Sequence, residues 1–156
     1  MATRDGDVLF LDSNVLVYAS VDNSLRHAEC VAFLQRQEDA GVQLVISRQI
    51  LREFMAVLSR PQPSRPPFPV HDIVSLVATF RHEWRVFDET EKVGDWLLSL
   101  VAEIPCGGKQ IHDANIVATM LAYGITTLAT YNVADFRRFG GHIRLVTPGE
   151  GGSSKT

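Results

Sequence analysis

The chain has 156 residues, of which 46% are hydrophobic and 21% are charged, and its formal net charge at pH 7 is −3. This length favours a single domain with a sizeable core, which we predict over residues 1–148. The net charge argues against an indiscriminate polyanion binder, because phosphate affinity comes mainly from clustered Lys and Arg, but an acidic centre with a local basic rim stays possible. The apolar runs are too short to span a bilayer and residues 1–7 lack a secretory signal, so we expect a cytoplasmic protein with no membrane partner.

Predicted strands and helices alternate along the chain. The continuous apolar run Val8–Leu11 is typical of a strand buried on both faces. Ser24 and Ser47 are predicted helix caps, and Gly41 is predicted to end a helix in a left-handed conformation. The predicted elements are strand Val8–Leu11, helix Leu25–Ala40, strand Val42–Ile46, a helix to Ser59, helix Val70–Trp84, strand Arg85–Phe87, a helix from the cap Thr90 to Glu103, helix Ile111–Tyr123, strand Thr126–Thr130 and strand His142–Val146.

This alternation predicts βα units, and therefore a mostly parallel sheet with helices on both faces. Five of the seven prolines lie in Pro61–Pro69, which predicts a stiff surface connection between two helices. Cys30 and Cys106 are too few for a disulfide framework and lack zinc-ligand spacing, so we expect free thiols. Residues 149–156 are rich in Gly and Ser and are predicted to form a flexible tail.

Two acidic residues in the first half of the chain are candidate site residues. Parallel sheets place their sites at the carboxyl ends of strands, and Asp12 directly follows the first predicted strand. A local Asx turn formed by Asp-Ser-Asn explains Asp12 equally well. Glu53 lies at the margin of the apolar stripe of its helix, where a solvated glutamate and a partly buried, functional carboxylate are both consistent with the sequence.

Two further acids lie in the second half of the chain. Asp113 projects from its helix on the same side as Ile116, and a charge on an apolar face is costly unless it is paired or binds a cation. This favours a functional role for Asp113. Asp135 follows a predicted strand, and its structural alternative is a capping box in which Asn132 begins a short helix.

Acids from four separated segments can converge at one edge of a parallel sheet. Neither a cysteine set nor a set of several histidines competes with them as metal ligands. An oxygen-only cluster suits Mg²⁺ or Mn²⁺, because both are hard cations that keep bound waters and bind substrate phosphates. Such ions lower the pKa of a bound water and neutralise charge on a reacting phosphate.

Four segments occurring in order up to Pro148 resemble the PIN domain, specifically the VapC-type toxins of toxin–antitoxin pairs. Each motif is weak alone, but four in order with βα spacing are fairly specific. The segments are Phe10–Tyr18, Ile50–Phe54, His112–Ala118 and Leu128–Phe136.

The resemblance implies a three-layer α/β/α sandwich with a five-stranded, mostly parallel sheet. It also implies a Mg²⁺- or Mn²⁺-dependent endoribonuclease that acts on RNA, forms homodimers and is inhibited by a cognate VapB-like antitoxin. The positions that match the family's catalytic and metal-binding acids are Asp12, Glu53, Asp113 and Asp135. The positions that match supporting polar residues are Asn14, Thr130 and Asn132.

Two alternatives to a toxin nuclease stay open. One is a non-catalytic PIN-like binding or scaffolding module, although the presence of all four acids argues against it. The other is a stand-alone PIN nuclease without an antitoxin. An aspartyl phosphatase is disfavoured because Asn14 stands where its second acid is needed.

Overall fold

The computed structural model describes residues 7–149 and contains a five-stranded sheet. The elements in chain order are β1 (Val8–Leu11), α1 (Ser13–Ser20), α2 (His27–Asp39), β2 (Gln43–Ser47), α3 (Arg48–Leu58), α4 (Val70–Glu83), β3 (Arg85–Phe87), α5 (Glu91–Glu103), α6 (Gln110–Ala122), β4 (Thr127–Ala129), α7 (Val133–Phe136), a 3₁₀ turn (Arg137–Phe139) and β5 (Arg144–Val146). The strand order is β3-β2-β1-β4-β5, and all four pairings are parallel.

The central strand β1 is covered on both faces. Leu9, Phe10 and Leu11 are consecutive and all buried. Because successive side chains of a strand point to opposite faces, burial of all three requires helices on both sides of the sheet. This confirms the predicted α/β/α sandwich with a parallel sheet. The sheet order places β1 beside β4, so the carboxyl ends of these two strands are neighbours.

The sequence analysis missed helix α1. The local alternative for Asp12 is an Asx turn, but in the structure Asp12 is the N-cap of α1. Its Oδ1 accepts a hydrogen bond from the backbone N of Ser13 at 2.7 Å. The helix buries Val15 and Leu16 against the core. Tertiary packing of these two residues, rather than a strong amphipathic pattern, therefore stabilises α1.

The prediction that Ser24 caps the second helix is wrong. That helix begins at His27, and Ser24 instead accepts a hydrogen bond from the backbone N of Arg26 at 3.2 Å, in the turn before the helix. The cap at Ser47 is confirmed, because its hydroxyl accepts the backbone N–H of Ile50 at 3.4 Å. The left-handed conformation of Gly41 is also confirmed, with φ at 79°.

The remaining predictions concern the proline-rich connection, the cysteines, membrane-spanning helices and the tail. The proline-rich connection contains neither helix nor strand beyond a single bridge between Gln62 and Arg65, and both cysteines are free. Across residues 7–149, no helix is both long and apolar enough to cross a membrane. The predicted tail lies, beyond Gly149, outside the described residues. The single-domain boundary at residue 148 stays a prediction.

Two glycines give a matched test of the backbone. Gly124 ends α6 with φ at 73°, a conformation that costs about 1–2 kcal/mol for a residue with a Cβ atom. Gly94 lies inside α5, and a Cβ atom added there meets no atom within 4 Å. We expect Gly124→Ala to lower the free energy of unfolding by about that amount and Gly94→Ala to raise it by about 0.5–1 kcal/mol. Urea denaturation measures both free energies of unfolding. A Gly124→Ala variant as stable as the parent contradicts the left-handed conformation of Gly124.

Candidate functional site

The carboxylate of Asp12 lies at the carboxyl end of β1 and is 4% exposed. Its Oδ1 accepts the backbone N–H of Ser13 at 2.7 Å. Its Oδ2 accepts the hydroxyl of Thr130 at 2.7 Å and the side-chain amide of Asn14 at 3.1 Å. Three donors therefore replace the water that this carboxylate has lost, and they fix its orientation.

The expected supporting residues Asn14 and Thr130 both donate hydrogen bonds to Asp12, whereas Asn132 forms none with Asp12 within the described residues. The Thr130 hydroxyl accepts the backbone N–H of Asn132 at 3.0 Å, and Asn14 Oδ1 accepts the backbone N–H of Tyr131 at 3.1 Å. Asn132 stands at the N-cap position of α7, as the capping-box alternative requires, but its exposed side chain forms no capping hydrogen bond, so the capping box is not formed. The chain after β4 is thus bound to α1 through side-chain hydrogen bonds.

Both carboxylate oxygens of Glu53 accept hydrogen bonds. Oε2 accepts the hydroxyl of Ser13 at 3.0 Å, and Oε1 accepts the side-chain amide of Gln49 at 3.1 Å. The first bond joins Glu53 on α3 to the residue next to Asp12. The sequence analysis missed Ser13, because a serine after an aspartate has many local uses and its distant partner leaves no sequence signal.

The sequence analysis also missed Gln49, a buried residue that joins α3 to α6. Its Nε2 also donates to the backbone O of His112 at 2.9 Å, and its Oε1 accepts the side-chain amide of Asn115 at 2.7 Å. These bonds fix the first turn of α6, which carries Asp113, relative to Glu53. The four-residue spacing between Gln49 and Glu53 places them on one helix face, which is the signal that would have identified Gln49.

Burial and repulsion between carboxylates raise the pKa values of two of the acids, Asp12 and Asp113. The pKa of Asp12 is raised to about 6, chiefly by burial; the hydrogen bonds from Thr130 and Ser13 lower the pKa, and the charges of Glu53 and Asp113 contribute to raising it. Burial is again the largest cause that raises the pKa of Asp113 to about 6, followed by the charges of Asp135 and Glu53. Asp12 therefore lies within electrostatic reach of Glu53 and Asp113, and Asp113 also lies within reach of Asp135.

The donor chemistry fits a hard divalent cation, although the ligand set is not preassembled. Within the part of the chain that the structure describes, no three His, Cys, Asp or Glu side chains are already arranged to hold a metal ion. The acids lie at different depths: Asp12 is buried, Glu53 and Asp113 are partly buried, and Asp135 is exposed. The oxygen-only character of this set, and the raised pKa values of Asp12 and Asp113, are those expected of carboxylates that a divalent cation would stabilise.

The fold and the site define a class: an α/β sandwich that gathers acidic side chains at the carboxyl edge of a parallel sheet. The profile of the PIN domain family matches residues 9–141. The chain belongs to the PIN domain family.

Individual relatives agree with this assignment. The chain is 26% identical over 137 residues to ribonuclease VapC24 of Mycobacterium tuberculosis, a match that covers 85% of this chain and 92% of that protein. The fold is similar to VapBC2 of Rickettsia felis bound to a DNA fragment from its promoter, with a TM-score of 0.67, 19% identity and coverage of 90% of this chain and 98% of that one. It is also similar to VapC20 of M. tuberculosis, a sarcin-ricin loop cleaving toxin, with a TM-score of 0.65, 14% identity and coverage of 87% and 96%.

The raised pKa of Asp12 predicts how stability depends on pH. Because the folded-state value of about 6 lies above the ordinary 3.8, the stability associated with protonation of Asp12 is full below about pH 4 and is lost as pH rises through 6. Between pH 5 and pH 7, the metal-free parent is expected to lose about 1 kcal/mol more unfolding free energy than Asp12→Asn. Urea titrations in EDTA measure this difference. Asp95→Asn, at an exposed position of α5, controls for net charge. Equal losses in the parent and Asp12→Asn contradict a raised pKa of Asp12 in the folded state.

Proposed function

We propose that this protein is a divalent-metal-dependent endoribonuclease and the toxin of a toxin–antitoxin pair. The observation that carries the proposal is the buried carboxylate of Asp12, which is held by three hydrogen bonds and lies within electrostatic reach of Glu53 and Asp113. Asp113 in turn lies within reach of Asp135. Membership of the PIN family and similarity to a VapC ribonuclease support the choice of RNA as the substrate.

In this proposal, the acids share one metal centre. Asp12, Asp113 and Asp135 would hold Mg²⁺ or Mn²⁺, and Glu53 would bind it directly or through water. Each Glu53 oxygen accepts only one hydrogen bond in the described structure and keeps a lone pair for a further partner. When bound, the ion supplies a water of lowered pKa and neutralises charge on the phosphate.

The surrounding residues position the acids rather than react. The Thr130 hydroxyl and the Asn14 amide both donate to Oδ2 of Asp12. These bonds fix the orientation of the carboxylate, and therefore the direction of the lone pairs on both of its oxygens that accept no hydrogen bond. Glu53 is fixed in the same way by Ser13 and Gln49. The exposed side chain of Asn132 is free within the described residues to contact an RNA phosphate.

The first test of the proposal is Asp12→Asn, which removes the negative charge with almost no change of shape. We expect cleavage of single-stranded RNA to fall by more than about 100-fold, because the variant loses a metal ligand and not only an orienting contact. Asp95→Asn is the matched control and keeps full activity, and circular dichroism checks that both variants fold. Full nuclease activity of Asp12→Asn, purified free of host ribonucleases, excludes this site. An inactive parent instead favours a non-catalytic PIN-like module.

Metal binding can be tested without activity. A divalent cation relieves repulsion among the acids and stabilises the folded state by mass action. Millimolar Mn²⁺ is expected to raise the Tm of the parent by several degrees, since about 1 kcal/mol corresponds to roughly 2–4 °C in a chain of this size. The shift in Asp113→Ala should be much smaller, and that in Asp95→Ala unchanged. Equal shifts in the parent and Asp113→Ala mean that the ion binds elsewhere.

We also propose a VapB-like antitoxin and a second copy of this chain as partners. The similarity of fold to toxins solved in VapBC complexes supports the antitoxin. An arginine from such a partner suits the site, because a guanidinium engages two carboxylate oxygens at once. The exposed apolar residues Val70 and Val74, one turn apart on α4, are candidates for contact between two copies.

Co-expression with the product of the neighbouring reading frame tests the antitoxin. We expect a stable complex in which RNA cleavage is inhibited, and partial recovery of cleavage when the partner's site-directed arginine is replaced. Light scattering of the toxin alone measures whether it is a dimer. A neighbour that neither binds nor inhibits contradicts the toxin–antitoxin assignment and leaves a stand-alone PIN nuclease.

A further inference from the structure

An arginine lies over two tyrosine rings beside the acidic centre. The guanidinium carbon of Arg26 is 4.6 Å from the ring centroid of Tyr131 and 5.3 Å from that of Tyr18. The two rings are arranged edge to face, with centroids 4.9 Å apart and an interplanar angle of 78°. We call these three side chains the stacking platform. Such a cation–π arrangement holds the guanidinium plane in a defined position.

The stacking platform adjoins the residues that position Asp12. Tyr131 directly follows Thr130, and its backbone N–H donates to Asn14 Oδ1 at 3.1 Å. Tyr18 lies four residues after Asn14 on α1, so the two side chains share one face of that helix. Helix α1 and the segment after β4, which both support Asp12, therefore also support the stacking platform. Each tyrosine lies within four residues of a side chain that donates a hydrogen bond to Asp12.

Local hydrogen bonds hold the stacking platform in place. The hydroxyl of Tyr131 donates to Glu29 Oε1 at 3.2 Å, and a ring nitrogen of His27 lies 2.9 Å from the backbone O of Tyr18. The backbone N–H of Arg26 donates to the hydroxyl of Ser24 at 3.2 Å. A surface anchored in this way loses little conformational entropy when it binds a flat ligand.

The guanidinium of Arg26 has no acidic partner among residues 7–149. Arg48 and Arg52 differ in this respect, because they pair with Asp88 and Glu89. Arg26 is exposed, and its side chain donates no hydrogen bond to the described part of the protein. Its planar face and its N–H donors are therefore available to a ligand that combines an aromatic ring with a phosphate.

We propose that the stacking platform binds one nucleotide of a single-stranded RNA next to the scissile phosphate. The base stacks on the guanidinium and tyrosine surface, and the N–H donors of Arg26 contact the adjacent phosphate. Stacking of this kind requires a base free of its helix, which favours loops and single strands over duplex RNA. This inference rests on the proposed ribonuclease function and adds a subsite that selects substrate without reacting with it.

The direct test measures RNA affinity separately from cleavage. A fluorescein-labelled, single-stranded RNA of twelve nucleotides is titrated in Mg²⁺ with chains that carry Asp12→Asn to prevent cleavage. Arg26→Ala is expected to weaken binding roughly 10-fold, the effect of losing one stacked base. Arg36→Ala, at another exposed arginine of α2, is the matched control and is expected to bind like the Asp12→Asn parent.

Two further variants separate stacking from charge. Arg26→Lys keeps the charge but loses the planar group, so it is expected to bind nearly as weakly as Arg26→Ala. Tyr131→Phe keeps the ring and is expected to bind within twofold of the parent, whereas Tyr131→Ala is expected to resemble Arg26→Ala. In chains with an intact Asp12, Arg26→Ala should raise KM roughly 10-fold and leave kcat within twofold.

The outcomes distinguish this inference from the proposed function. If the parent cleaves RNA and Arg26→Ala matches Arg36→Ala in both Kd and KM, the subsite is wrong while the nuclease assignment stands. Full rescue by Arg26→Lys also overturns the stacking role. Unchanged RNA binding with weaker binding of the antitoxin assigns the stacking platform to the protein partner instead. A parent that neither binds nor cleaves RNA overturns both proposals.

Discussion

A carboxylate in a protein interior is stable only where hydrogen-bond donors or a cation replace the water that it has lost. Asp12 occupies such a position, and its donors come from two places: the first turn of α1 and the residue after β4. Thr130 reaches Asp12 because β4 is the parallel neighbour of β1 in the sheet. The sheet order therefore determines whether the buried acid can be satisfied, and the remainder of the site is arranged around it.

A second set of hydrogen bonds extends from this centre across the helices. Ser13 bonds to Glu53, Glu53 to Gln49, and Gln49 to Asn115, so that α1, α3 and α6 are joined by buried or partly buried polar contacts. Such a network fixes the positions of acids that repel one another. Burial, followed by the charges of Asp135 and Glu53, raises the pKa of Asp113, so the chain itself disfavours the ionised form of this carboxyl. An arrangement of this kind is suited to a cation.

The sequence predicted the architecture better than the polar contacts. The hydrophobic run Val8–Leu11 has the predicted bounds because burial on both faces leaves a clear pattern. The edge strand Arg85–Phe87, in which Phe87 is buried and Arg85 exposed, also has the predicted bounds. Helix α1 was missed because its stability comes from the cap and from tertiary packing. The prediction placed the four acids near one sheet edge, and the pKa shifts of Asp12 and Asp113 agree with their mutual proximity.

Apart from the contact between Gln49 and Glu53, the missed contacts join distant residues and are encoded by no periodicity. The bond between Ser13 and Glu53 joins residues 40 positions apart, and the bond between Tyr131 and Asn14 joins residues 117 positions apart.

The central claim is that Asp12, Asp113 and Asp135 share one metal centre, and anomalous diffraction from crystals soaked in Mn²⁺ tests it most directly. The account predicts an anomalous peak coordinated by Asp12 and at least one of the other two acids; a peak bound only elsewhere, at a Mn²⁺ concentration that stabilises the protein, would contradict it.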